Sequence, residues 1–115
     1  MANIQEKISA LCLAATFDET GELLLVNVPD ENWHALAKAL KEQLHFDMLN
    51  AVAGVDWKEA LGCMYYLTNT ETQEMIHVKV ATTDREHPRL HTVSDIWAVA
   101  NYQEREVYDF FGIEF

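Results

Sequence analysis

The chain has 115 residues, half of them apolar, with three Trp, four Tyr and five Phe, and a formal charge of −11. That composition describes one globular domain over residues 1–115 with a single packed core, and it excludes a disordered chain. The acidity excludes nucleic acid, since no basic stripe is present to meet phosphates, and the absence of any apolar run near the ~20 residues of a membrane helix excludes membrane insertion.

Ile4, Ile8 and Leu11 recur at helical spacing and predict a short opening helix. Leu13 to Phe17 reads as an edge strand, Asp18-Glu19-Thr20-Gly21 as a turn, and Leu23 to Val28 as a buried strand. Asp30 is placed to cap a helix that runs to about Leu44, with Trp33, Leu36, Ala37, Leu40 and Leu44 as its buried stripe. Phe46 to Trp57 reads as a strand with a bulge or bend at Gly54. Leu61 to Asn69 and Met75 to Ala81 alternate at a period of two, with Cys63, Tyr65 and Leu67, then Ile76, Val78 and Val80, on one side. These three strands predict an antiparallel meander. Thr83 to Thr92 is polar and irregular, and Ser94 is placed to cap a short turn through Ala98.

The last helix carries the densest pattern. Asn101 stands three residues before Glu104, the spacing of a capping box, and Gly112 stands where a left-handed helix stop takes glycine. Arg105 and Asp109 are four apart and are expected to pair; Val107, Phe110 and Phe111 form an apolar stripe, and Glu104, Tyr108 and Phe111 line another face. Charges this close to an apolar face suit an element wedged between surfaces. The element order predicts an α+β fold: a mostly antiparallel sheet with helices packed on one face, closed by this C-terminal helix.

The search for chemistry yields little. His87 and His91 have the spacing of paired metal ligands, but Pro88 lies between them and no third ligand is near, so they read as loop histidines. His34, His45 and His77 read as surface side chains. Cys12 and Cys63 stand alone in apolar company and read as buried free thiols, and Met1 to Lys7 lacks the order of a signal peptide, so a reducing, cytosolic setting is expected. No phosphate loop, nucleophile elbow or paired-cysteine motif occurs. The expectation is no catalytic residue, no metal and no cofactor.

Thr92-Val93-Ser94-Asp95-Ile96-Trp97, Ala100-Asn101-Tyr102 and Glu104-Arg105-Glu106-Val107-Tyr108-Asp109-Phe110-Phe111-Gly112-Ile113 closely resemble the signature of the 30-kDa subunit of respiratory complex I (NADH-quinone oxidoreductase). Ala53-Gly54-Val55-Asp56-Trp57, Met64-Tyr65-Tyr66-Leu67 and Ile76-His77-Val78-Lys79-Val80 resemble that family's strands. The resemblance implies a non-catalytic assembly subunit of the hydrophilic arm, supporting electron transfer from NADH to quinone at the cytoplasmic, peripheral side of the inner membrane. It implies as partners the large hydrogenase-like subunit and neighbouring iron–sulfur subunits. Glu104, Arg105, Glu106, Tyr108, Asp109, Phe111 and Gly112 match the signature and are implied to serve the subunit interface.

Two departures stand out. The family usually continues with Gly-His-Pro-Asp-x-Arg and a tail, whereas this sequence stops at Phe115, so truncation before that tail is expected; and His91 stands where proline is common. The same module occurs in membrane-bound energy-converting NiFe hydrogenases, which is the alternative setting. A small stand-alone metal-dependent enzyme using His87, His91 and nearby acids is the remote one.

Overall fold

The computed structural model describes residues 4–12, 15–18, 24–58, 60–84 and 86–115. In chain order the elements are α1 (Ile4–Leu11), β1 (Thr16–Asp18), β2 (Leu24–Asn27), α2 (Asp30–Leu44), β3 (Met48–Asp56), β4 (Leu61–Thr68), β5 (Met75–Thr82) and α3 (Ala100–Phe111). The strands form one sheet in the order β1-β2-β5-β4-β3. The pairs β1–β2, β3–β4 and β4–β5 are antiparallel, and β2–β5 is parallel. This is the expected α+β architecture with its meander, and the parallel join is the feature that local pattern did not reveal. Most of the turn expected at 18–21, and Leu13, Ala14 and Leu23 of the expected strands, lie outside the described residues.

The helices lie on one face because the strands are apolar on that face. Register aligns Val52 with Tyr65 and Tyr65 with Val78, so their side chains point the same way. Cys63, Tyr65, Leu67, Ile76, Val78 and Val80 are fully or almost fully buried there. Trp33, Leu36, Ala37 and Leu40 of α2 cover this face, and the Trp33 ring stands 4.9 Å from that of Tyr65. Burying each such side chain contributes roughly 1.5–3 kcal/mol. Ile8 of α1 and Val107 of α3 join the same core.

The helix ends depart from expectation. Pro29, not Asp30, is the cap residue of α2, and no side chain caps it. Asp30 is already helical and sends its carboxylate to His91 instead. The C-terminus of α2 closes with His45 in the left-handed conformation (φ 61°) and a Phe46 N–H bond to the Leu40 carbonyl at 3.0 Å. Among the described residues the Ser94 side chain caps no turn; the Thr92 hydroxyl accepts the Ser94 N–H at 3.1 Å. In β3 the register slips between Leu49 and Ala51, not at Gly54. Gly54 stays in register opposite Cys63, and Phe111 occupies the space of the side chain it lacks: an ideal Cβ there would fall 2.5 Å from two ring atoms.

The long outer strand β3 is guarded. The irregularity at Asn50 interrupts it, and the Gln103 side-chain oxygen of α3 accepts the Val52 N–H at 2.5 Å. Both devices discourage another strand from adding to this edge.

Candidate functional site

The signature residues gather on α3, and the structure divides them into two sets. Glu104 turns inward and is only 3 % exposed. One of its carboxylate oxygens accepts the Thr92 hydroxyl at 2.6 Å; the other accepts the Tyr65 hydroxyl at 2.9 Å and the Val93 N–H at 3.2 Å. Three segments distant in sequence therefore meet on one carboxyl group: β4, the 92–94 turn and α3. The expected capping box does not form. Val99 is the cap residue and Asn101 lies inside the first turn, while Glu104 is drawn into the core. Burial raises the Glu104 carboxyl above its ordinary value, and the three donors offset only part of that desolvation. Burial likewise raises the Tyr65 phenol, so its proton stays available to the carboxyl.

The second set faces outward. Arg105, Glu106 and Asp109 are exposed, Tyr108 is 51 % exposed and Tyr102 is 67 % exposed. Arg105 and Asp109 share a face but form no ion pair among the described residues, so the expected pairing is not made. Phe111 is amphibious: its ring packs over Gly54 and is still 36 % exposed. Gly112 ends the helix at φ 71°, with its N–H on the Tyr108 carbonyl at 2.8 Å. This is the glycine stop read from the sequence. The side chain of Phe110 lies outside the described ones.

A cleft of about 470 Å³ runs beside α3, lined in part by Thr92, Asn101, Glu104, Arg105, Tyr108 and Phe115. Glu114 also lines it, and the 114 backbone is laid against the 88–90 segment: Leu90 N–H donates to the Glu114 carbonyl and Glu114 N–H to the Pro88 carbonyl, both at 2.9 Å.

The 91–97 segment is fastened to α2 from several sides. His91 meets Asp30 and His34 meets Asp95, each at 2.8 Å; the Lys41 ammonium donates to the Ile96 carbonyl at 2.6 Å. The Trp97 indole donates to the Phe46 carbonyl at 3.0 Å. The His34 contact holds Asp95 below the usual carboxylate range. His87 is exposed on the 86–91 loop, where its N–H meets Asp84. Among the described residues no group of three His, Cys, Asp or Glu side chains is placed to hold a metal ion. Cys12 and Cys63 are buried free thiols. No described helix is long and apolar enough to cross a membrane.

Sequence reasoning missed Tyr65, Thr92 and Gln103 as partners of the signature helix. Alternation along β4 marked Tyr65 as buried, but nothing local showed which group its hydroxyl would meet.

Comparison with known proteins decides the family. The profile described as "Respiratory-chain NADH dehydrogenase, 30 Kd subunit" matches residues 26–115. The chain belongs to this family. The NADH-quinone oxidoreductase C/D subunit of Phocaeicola vulgatus is 45 % identical over 91 residues, covering 78 % of this chain and 18 % of that protein. The NADH-quinone oxidoreductase C subunit of Moorella thermoacetica is 36 % identical over 90 residues, covering 76 % of this chain and 60 % of that one. Against these 30 Kd relatives the chain thus spans under a fifth of the C/D protein and three fifths of the Moorella protein. Among solved structures, a chain of the membrane-bound sulfane sulfur reductase, an archaeal respiratory membrane complex, superposes with a TM-score of 0.84 at 31 % identity. That match covers 97 % of this chain and 68 % of the other. The fold shared with that chain thus spans nearly all of the present sequence.

Proposed function

We propose that this chain is a non-catalytic docking subunit of an NADH-quinone oxidoreductase, held in the peripheral arm at the cytoplasmic side of the membrane. Its outward α3 face seats on the large hydrogenase-like subunit beside the iron–sulfur subunits, and it supports electron transfer from NADH to quinone without contributing a cofactor. The names of the relatives support that complex over the hydrogenase alternative. The observation that carries the interface is the division of α3. Glu104 locks the helix from inside, while Arg105, Glu106 and Asp109 stand exposed without an ion pair among the described residues, flanked by Tyr102 and Tyr108. Exposed tyrosine and arginine on a fixed backbone are the residue types that anchor interfaces.

The test is co-purification from native membranes. Arg105→Glu with Tyr108→Ala, which leaves the core untouched, is expected to lower recovery of the large subunit with this chain at least about tenfold, since interface anchors are worth about 2 kcal/mol or more each. NADH–quinone activity of the membranes falls with it. Undiminished recovery sinks the interface reading.

A further inference from the structure

The buried Glu104 carboxyl is joined to the cleft beside α3 by a chain of two hydroxyls. Its Oε2 atom is saturated, since it accepts both the Tyr65 hydroxyl and the Val93 N–H. Its Oε1 atom meets Thr92 Oγ1 at 2.6 Å, and that oxygen lies 3.0 Å from Ser94 Oγ. Thr92 and Ser94 are half-buried, and both line the cleft. A proton on Glu104 therefore sits on Oε1, facing Thr92.

One hydroxyl carries one proton, so Thr92 cannot donate to Glu104 and to Ser94 together. The Thr92 oxygen also accepts the Ser94 N–H at 3.1 Å, which either arrangement allows. With Glu104 ionised, Thr92 donates to the carboxylate, Ser94 donates to Thr92, and Ser94 turns lone pairs to the cleft. With Glu104 protonated, Oε1–H donates to Thr92, Thr92 donates to Ser94, and the Ser94 proton is left for the cleft. The chain is satisfied in both arrangements, so neither leaves an orphaned group inside. A solvent proton taken up at Ser94 sends the Ser94 proton to Thr92 and the Thr92 proton to Glu104. Each hydroxyl gains one proton and loses one, and the carboxylate becomes the acid.

The rest of the cleft is rich in donors. Arg105 forms no ion pair among the described residues, Asn101 adds an amide and Tyr108 a phenol, while Arg89 engages the Glu114 carboxylate at 3.0 Å. We propose that Glu104, Thr92 and Ser94 form a proton-linked latch: a partner segment that places a backbone carbonyl or carboxylate against Ser94 in the α3 cleft is held with uptake of one proton by Glu104. The proposal rests on α3 being the docking face and adds the condition under which it docks. Excluding water from the cleft acts in the same direction, because a buried carboxyl resists ionisation. The neighbouring groups hold their charge states. Burial keeps Tyr65 and Cys63 of β4 neutral, and His34 of α2, with Lys38 beyond it, keeps Asp95 ionised. The Asp95 charge adds to the burial that raises Glu104. Arg105 and Tyr108 on α3 and Glu114 across the cleft complete the titratable groups around the chain.

The test is the rate at which the complex isolated from native membranes sheds the large subunit from this chain, followed from about pH 5.5 to about pH 8.5. One linked proton changes affinity by up to about tenfold per pH unit, and the change falls mainly on dissociation. Docking is at full strength where Glu104 is protonated in the free chain and weakens as pH rises through that value. Wild type is expected to shed the large subunit at least about tenfold faster at the alkaline end than at the acid end, relative to Glu104→Gln. The Gln amide donates to Thr92 as the acid does, so that variant stays latched across the range. Ser94→Ala should match wild type at the alkaline end and lose the gain at the acid end. Equal slopes in wild type and Glu104→Gln overturn the latch. A slope kept in Ser94→Ala traces the linkage to burial of the carboxyl alone and overturns the hydroxyl chain. Should Glu104→Gln fail to assemble, Ser94→Ala against wild type decides by itself. Arg105→Glu with Tyr108→Ala separates the two readings: undiminished retention overturns docking face and latch together, whereas lost retention beside a flat wild-type profile overturns the latch alone.

Discussion

Phe111 fills the space that a side chain on Gly54 would need: an ideal Cβ on that glycine falls 2.5 Å from two atoms of the ring, and 3.3 Å from a methyl of Val107. This pair, with the Gln103–Val52 hydrogen bond, seats α3 on β3. Gly54→Ala is expected to push the half-exposed ring outward and to cost about 1–3 kcal/mol, the range for an overpacked site. Gly62→Ala should be worse, because its Cβ would fall 2.1 Å from the Val80 carbonyl oxygen and 2.6 Å from the Ala81 Cα. Backbone in mid-sheet yields less readily than a ring at a surface. Urea unfolding of the two variants checks the order.

Glu104 gives stability a pH dependence of unusual sign. Its carboxyl titrates above the ordinary 4.5 in the folded chain because it is buried. The folded state then binds its proton more tightly than the unfolded one, so the stability it contributes is complete below about 4.5 and is lost as pH rises through the folded value. Glu104→Gln removes this slope while keeping a polar partner for Tyr65. Glu104→Ala leaves the Tyr65 hydroxyl and Val93 N–H without their acceptor and is expected to cost about 2–4 kcal/mol, for two buried donors left unsatisfied. Unfolding midpoints of wild type and Gln variant across pH 4 to 8 should diverge in the Gln variant's favour as pH rises. Parallel curves would reject the assignment.

Gly112 tests the helix stop alone. Its φ is 71° and nothing lies within 4 Å of an added Cβ, so a substitution meets strain without a clash. Gly112→Ala is expected to cost about 1–2 kcal/mol, the usual difference for the left-handed region, and Gly112→Asn less. Thermal unfolding of both variants measures the gap.

Cys63 should be inert in the folded protein. Burial, then the neighbouring Glu104, pushes its thiol well above the ordinary range, and the side chain is fully buried. Since the thiolate is the reactive form, a disulfide reagent at neutral pH is expected to modify Cys63 only as fast as the chain opens. A rate in native buffer close to that in denaturant would contradict the burial.

The legible part of this protein was the part written in local period. The Trp33–Leu40 stripe set the buried side of α2, alternation set the inner faces of β4 and β5, and Gly112 announced the end of α3. Errors clustered where a side chain chose between a near partner and a far one. Asp30 and Glu104 had the spacing of caps, yet Asp30 went to His91 and Glu104 to Tyr65 and Thr92. Arg105 and Asp109 had the spacing of a pair and stayed apart among the described contacts. A cap or an exposed ion pair is worth about 1 kcal/mol or less, so a modest gain from packing elsewhere redirects it.

By itself the sequence determined the family, through the run from Glu104 to Ile113, and the class of the fold, through the periods of its helices and strands. Those are properties of neighbours along the chain, and backbone geometry fixes them. Only the tertiary structure decided that β2 would run parallel to β5, and that Glu104 would be the buried knot and Arg105 the outward cation of the same helix. Each of these depends on contacts between segments tens of residues apart. Their free energy comes from burying shared apolar surface, which is counted over the whole core and not along the chain.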